Sequence, residues 1–296
     1  MAMKQIEIGT CVPGPMAKDW LPHLAKAGFE CVSLNFHMSL EGADLKKMAE
    51  ELMPIVKEAG IRVASLGYYC NAIQYEDHKK TLEYCIDSAK YFEAPIVSTF
   101  AGAYEGESVE KAMPKFGEVF RDLAKRAADN GLKLAIENCP MGGSWQRATC
   151  NIGFNPKAWE MMFNEVPDEN LGLEWEPGHQ SIQLIDPIAQ LREWAPTGRI
   201  IHMHGKDCSV DMTAVRKYGV FGAVDFAPQR TPGFGDVDWR DIFSILHMNN
   251  YESDICVEGY HDPIYRGDWE MTAQMHALNY LKWCRGGDFI PNPWNK

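Results

Sequence analysis

Eight short, β-prone apolar runs recur along the chain: IEIGTCV, FECVSLNF, IRVASLGYY, PIVSTFAG, LKLAIENC, LGLEWEP, RIIHMHGKD and SDICVEGY. Between them, apolar residues return every three or four positions, the spacing of one helix face. The clearest such stretches are residues 43–59, 77–92, 108–130, 238–248 and 267–284. In residues 108–130 the face is Met113, Phe116, Val119, Phe120, Leu123 and Ala127. Gly60 and Gly131 follow helices where a left-handed C-cap is expected. Strand–helix alternation implies parallel strands joined by crossover helices. Eight units in roughly 250 residues predict a closed (β/α)8 barrel. A doubly wound sheet would carry a glycine-rich nucleotide loop after its first strand, and here that strand runs into TCVPGPMAKDW. No linker, low-complexity tract or internal repeat is visible, so residues 1–296 are expected to form a single domain.

Composition narrows the function. The chain is 46% hydrophobic and 24% charged, ordinary for a globular protein. A net charge of −12 argues against nucleic acid or anionic membrane as a partner, since both reward clustered Lys and Arg. Nine cysteines form no C-x-x-C pair, and their odd number suits a disulfide framework poorly. The expectation is free thiols in a reducing compartment. MAMKQIEIGT lacks the apolar core of a signal peptide, and no run of ~18 apolar residues is present to span a bilayer. Cytoplasmic location is the expectation.

Catalysis in such barrels sits at the C-terminal ends of the strands. The fifth run ends in Glu137, and the sixth in Glu176, followed by Pro177, Gly178 and His179. The seventh carries His202 and His204, and the eighth ends in Glu258, with His261 shortly after. Simple alternation in RIIHMHGKD puts Ile201 and Met203 on one face and both histidines on the other. Burying several carboxylates together is costly unless something compensates them, and one divalent cation is the simplest compensator. Three carboxylates and an imidazole make a hard, oxygen-rich set. It suits Mn²⁺ best, with Mg²⁺, Co²⁺ or an open Zn²⁺ site as alternatives. His204 is expected to face the metal. Glu174 and His202 share the inward parity one layer deeper, where they are expected either to form a satisfied polar network or to take a direct part in the site.

Taken in order, IEN, E-P-x-H, H-x-H-x-K-D, PGFGDVDW and V-E-G span nearly the whole chain. With them the chain resembles the xylose isomerase-like TIM barrel superfamily, which holds sugar isomerases and epimerases, inositol-pathway dehydratases and endonuclease IV. The resemblance implies Glu137, Glu176, His204 and Glu258 as metal ligands, and Glu137 and Glu258 as the acid/base pair. Many relatives carry Asp where this chain has Glu176, and the extra methylene moves the carboxylate by about 1.5 Å. The tail from EGYHDPIYRGDWEM through CRGGDFIPNPW is similar to barrel subunits of bacterial enzymes that cleave oxidised C-glycosides with a small β-rich partner subunit. An endonuclease reading fails: TFAGAYEG ends the fourth run without histidine, and GDVDW stands where a D-x-H would be wanted.

These observations imply a metal-dependent keto-sugar isomerase or epimerase that removes a proton next to a carbonyl. The alternative is a lyase using the same enolisation to expel a group β to that carbonyl. The substrate is expected to be a small sugar or glycoside. His179, Arg230 (with Gln229 as its rival), Trp145 and His261 are candidate substrate-binding residues. Lys206 either holds a substrate hydroxyl or pairs with Asp207. Phe36, His37, Tyr68 and Tyr69 are candidates for the opposite wall. A non-catalytic sugar-binding barrel would leave its buried carboxylates as a standing cost. The apolar FIPNPW tail could cover a second copy or a small partner subunit.

Overall fold

In the computed structural model, which describes residues 4–259 and 261–294, each of the eight apolar runs forms a strand. Tyr260, at the end of the eighth run, lies outside the described residues, as do positions 1–3, 295 and 296 of the expected domain. The strands are β1 (Glu7–Pro13), β2 (Cys31–His37), β3 (Arg62–Tyr69), β4 (Ile96–Thr99), β5 (Lys133–Glu137), β6 (Leu171–Trp175) and β7 (Ile200–Gly205). A two-residue antiparallel ribbon, β8 (Asp207–Cys208) with β9 (Gln229–Arg230), precedes the last barrel strand, β10 (Asp254–Val257). The eight long strands pair in parallel and close in the order β1-β10-β7-β6-β5-β4-β3-β2. Helices cover the outside and side chains fill the inside, so the strands are buried on both faces.

Ten helices are described: α1 (Ala17–Ala27), α2 (Leu45–Ala59), α3 (Glu76–Ser88), α4 (Val109–Asp129), α5 (Pro156–Glu165), α6 (Pro177–Ser181), α7 (Pro187–Trp194), α8 (Met212–Tyr218), α9 (Trp239–Met248) and α10 (Glu270–Cys284). The stretch expected at 77–92 ends in a 3-10 turn, Ala89–Phe92, and that at 267–284 begins with one, Gly267–Trp269. Asp44 caps α2 by accepting from the backbone N–H groups of Lys46 and Lys47, and Asp238 caps α9 in the same way. Gly60 closes α2 at φ 68°, a left-handed conformation that costs glycine little.

The interior of β7 departs from simple alternation. Leu173 pairs with Ile200 but Glu174 pairs with His202, so the register slips and Ile201 is left over. This extra residue turns Ile201 away from Met203 and into a small cluster with Ile96 and Ala135. Gly172 on β6 makes the room, because a Cβ there would fall 2.8 Å from Ile201 and 2.6 Å from the Arg199 carbonyl. The slip leaves His202 and His204 on one side, in step with Glu174. Gly172→Ala is therefore expected to overpack this layer and lower stability by about 1–3 kcal/mol. Urea unfolding followed by circular dichroism measures it.

Candidate active site

β5, β6, β7 and β10 are consecutive neighbours in the barrel, and each presents one ionisable residue at its C-terminal end. Glu137 closes β5, Glu176 follows β6 directly, His204 lies in β7, and Glu258 follows β10. One ligand-type atom from each lies within 4.8 Å of the others, and all four residues are buried. His204 Nδ1 is 3.2 Å from Glu258 Oε2, 3.4 Å from Glu137 Oε1 and 3.6 Å from Glu176 Oε2. The backbone of these acids is held by asparagines. Asn138 makes a two-way bond with Glu176, its Oδ1 accepting from the Glu176 N–H (2.9 Å) and its Nδ2 donating to the Glu176 carbonyl (3.0 Å). This continues the β5–β6 ladder by side chain and explains the asparagine of IEN. Asn151 Nδ2 likewise donates to the Glu137 and Cys139 carbonyls at 2.9 and 2.8 Å.

The short helix α6 brings His179 back to the cluster, with Nε2 3.1 Å from Glu176 Oε1. Gly178 permits this close return: its N–H donates to the Lys206 carbonyl at 3.2 Å, and a Cβ would fall 3.0 Å from the Asp207 carbonyl. Lys206 is buried with Nζ 2.7 Å from Glu258 Oε2 and 3.3 Å from Glu176 Oε2. Burial pushes the Glu137 and Glu176 carboxyls above their ordinary range. Glu258 goes the other way, well below it, because Lys206 and His204 outweigh the burial. Burial lowers His179 to about 4, so its imidazole is neutral near pH 7.

A deeper layer holds His204 from behind. Glu174 Oε1 lies 2.6 Å from His202 Nδ1 and accepts from Ser98 Oγ at 2.6 Å, while Oε2 accepts from Tyr69 OH at 2.8 Å. His204 Nε2 is 3.3 Å from both Glu174 Oε1 and Tyr69 OH. Burial alone would raise Glu174, but His204 and His202 outweigh it and keep the group ionised. The two faces of one imidazole thus meet two carboxylate sets.

The donor set fits a divalent cation. Both oxygens of Glu176, Glu258 Oε2 and His204 Nδ1 are buried without hydrogen-bond geometry to any partner, although ion-pairing neighbours are near. Such groups are expensive to bury unless something satisfies them. Three carboxylates against one Lys206 ammonium leave two negative charges, which one divalent cation would offset. Glu137, Glu176, His204 Nδ1 and Glu258 could hold it.

Comparison with known proteins agrees with this architecture. The sequence profile described as Xylose isomerase-like TIM barrel matches residues 21–282. The chain belongs to that family. An inosose dehydratase from Clostridium beijerinckii is 35% identical over 163 residues, 54% of this chain and 50% of that protein. The chain spans half or less of the length of the curated relatives it first matches. Among solved structures, apo 3-keto-D-glucoside 4-epimerase from E. coli aligns with a TM-score of 0.70 at 17% identity, covering 95% of this chain and 100% of the other. D-allulose 3-epimerase from Methylomonas sp. aligns at 0.68 and 17%, covering 97% and 99%. At these identities the likeness is one of fold.

In this xylose isomerase-like barrel Glu137, His204 and Glu258 of the cluster line a cavity of about 650 Å³, with Glu176 buried behind them. His179, Lys206, His261 and Gln229 also line it, as do Phe36, His37 and Tyr69 across the opening. Lys206 does not pair with Asp207. That carboxylate instead accepts from the N–H groups of Val237 (3.0 Å) and Gly233 (3.3 Å) and from Trp239 Nε1 (3.1 Å), tying the following loop to the barrel. Arg230 is also engaged elsewhere, its Nε donating to Asp262 Oδ2 at 3.1 Å, and the structure puts Gln229 at the cavity instead. Trp145 is not brought to the cavity either; its indole N–H donates to Glu110. Tyr68 turns its hydroxyl to the Met38 carbonyl. The sequence reading did not single out Asn35, Phe100, Cys139 and Met141, which line the cavity. Asn35 shares the alternation of Ser33 on β2, a polar inward pattern visible in FECVSLNF.

Metal addition is expected to stabilise the protein. At a hundredfold excess over its dissociation constant, Mn²⁺ adds about 2.7 kcal/mol, raising the thermal midpoint by roughly 5 °C. Scanning calorimetry should show the rise in the native chain, its reversal by chelator and its loss in Glu176→Ala.

Proposed function

We propose that this protein is a divalent-metal-dependent enzyme that removes a proton from the carbon next to a carbonyl of a keto-sugar or keto-cyclitol, with isomerisation or epimerisation as the outcome. The observation that carries this reading is the convergence of Glu137, Glu176, His204 and Glu258 at the cavity, three of them lining it, with acceptor atoms left unpartnered. Mn²⁺ is the proposed cation, on the hardness of its donors. When bound there, it would polarise a carbonyl and acidify the neighbouring C–H.

The residues divide the remaining work. Glu258, kept ionised beside Lys206, is the proposed base that accepts the proton. Glu137, on the next strand but two around the barrel, is the proposed group that delivers a proton back to the same carbon or its neighbour. His179, neutral and with both ring nitrogens lacking hydrogen bonds, is placed to orient substrate oxygens. Phe36, Phe100 and Met141 present apolar surface to the same cavity.

A lyase is the second reading, favoured by a specific feature: the buried Lys206 ammonium, held charged by Glu258 and Glu176, faces the cavity and can stabilise negative charge on a departing oxygen by hydrogen bonding. The dehydratase names of the Clostridium relatives support the same outcome. An inosose-type dehydration or the opening of a 3-keto-C-glycoside, the latter with a small partner subunit, would each use this first proton transfer.

The test is NMR in D₂O with Mn²⁺-loaded protein and a panel of ketoses, inososes and 3-keto-glucosides. Deuterium is expected at the carbon beside the carbonyl, and Glu258→Gln should slow its entry by about 100-fold or more. A rearranged sugar identifies the isomerase outcome and a released group the lyase. No exchange with any compound would overturn the proposal.

A further inference from the structure

Across the barrel from Glu176's strand lies a polar group that takes no part in the proposed proton transfer. β2 stands four places from β6 in the closed order of eight strands, so the two face each other over the interior. Near the end of β2, Asn35 lines the cavity and is only 9% exposed. Its Oδ1 accepts from Ser33 Oγ at 2.7 Å, and Ser33 Oγ is itself 2.5 Å from Ser65 Oγ on β3. This inner chain of hydroxyls consumes the carbonyl end of the amide. The other end, Nδ2, is buried and has no hydrogen-bond partner.

The surroundings show that the amide is held in place. Gly67 on β3 leaves the space it occupies, since a Cβ there would fall 2.6 Å from Asn35 Oδ1 and 2.7 Å from the Tyr69 ring. Pro13, Phe36, Tyr69 and Phe100 share this side of the cavity and offer mostly carbon surface. A buried N–H₂ donor without an acceptor carries a desolvation cost. An acceptor oxygen arriving in the cavity would remove it.

We propose that Asn35 is a specificity-determining residue whose Nδ2 donates to a hydroxyl or carbonyl oxygen of the substrate, at the end remote from the carboxylate cluster. A ligand engaging both walls needs oxygens on opposite edges of its frame. That selects polyhydroxylated six-membered rings over short or singly oxygenated carbonyl compounds. The inference rests on the cavity being the substrate site of the proposed enzyme, and it does not depend on how the reaction ends.

Calorimetric titration of Mn²⁺-loaded protein with 2-keto-myo-inositol, 3-keto-glucose and D-fructose tests it. Asn35→Asp keeps the shape and the bond from Ser33 but replaces the donor with an acceptor, and Asn35→Ala removes the amide. Each substitution is expected to weaken binding of at least one ring compound about tenfold or more, with Mn²⁺ affinity unchanged. In turnover, the loss should appear mainly in KM rather than kcat. Unchanged affinity for all three compounds, or no binding of any to the native protein, overturns the proposal. Deuterium exchange judges the enolisation reading separately: exchange that persists while Asn35 variants bind normally sinks only the role of Asn35.

Discussion

His204 stands between two sets of buried carboxylates, and the remainder of the site is arranged around that fact. Its Nε2 faces Glu174 and Tyr69 below, and its Nδ1 faces Glu137, Glu176 and Glu258 above. A ring held on one nitrogen by an ionised group has its tautomer and its angle fixed, which leaves the other nitrogen free as a donor to a metal. In the lower layer both Glu174 oxygens are engaged, by His202 and Ser98 on one and Tyr69 on the other, while His202 Nε2 is buried without a partner. The upper layer is left open.

The fold makes that contrast affordable. Four consecutive strands bring the acids and the imidazole together without any long loop having to find them. Side-chain amides then fix the ends where the ladder stops: Asn138 continues the pairing to Glu176, and Asn151 holds the turn after Glu137. The register slip at Ile201 fills the barrel below with aliphatic side chains while leaving both histidines in step with Glu174. Rigidity at the rim follows from these bonds, and geometry within a fraction of an ångström is what an acid/base and metal site requires.

Much of this was legible in the chain because it follows from local pattern. Strand–helix alternation specified the closed barrel, and the acids at the ends of the apolar runs specified the wall. Glu174 and His202 were readable as a deeper pair from parity alone. Features that depend on distant partners were not legible. Ile201 turns inward only because β6 offers Gly172 beside it, which no two-residue period in β7 can reveal. Arg230 and Trp145 have the chemistry of substrate contacts, yet Asp262 and Glu110 hold them elsewhere. The β8–β9 ribbon, two residues on each side, is too short to leave a periodic trace, and it is what puts Gln229 rather than Arg230 at the cavity.

The proposed chemistry stands on one divalent cation bound among Glu137, Glu176, His204 Nδ1 and Glu258. The most direct measurement is anomalous diffraction at the manganese edge from crystals grown with Mn²⁺. One strong peak per chain is expected within bonding distance of those four residues, with Lys206 outside the coordination sphere. A peak at another place in the barrel, or none at saturating Mn²⁺, would contradict it.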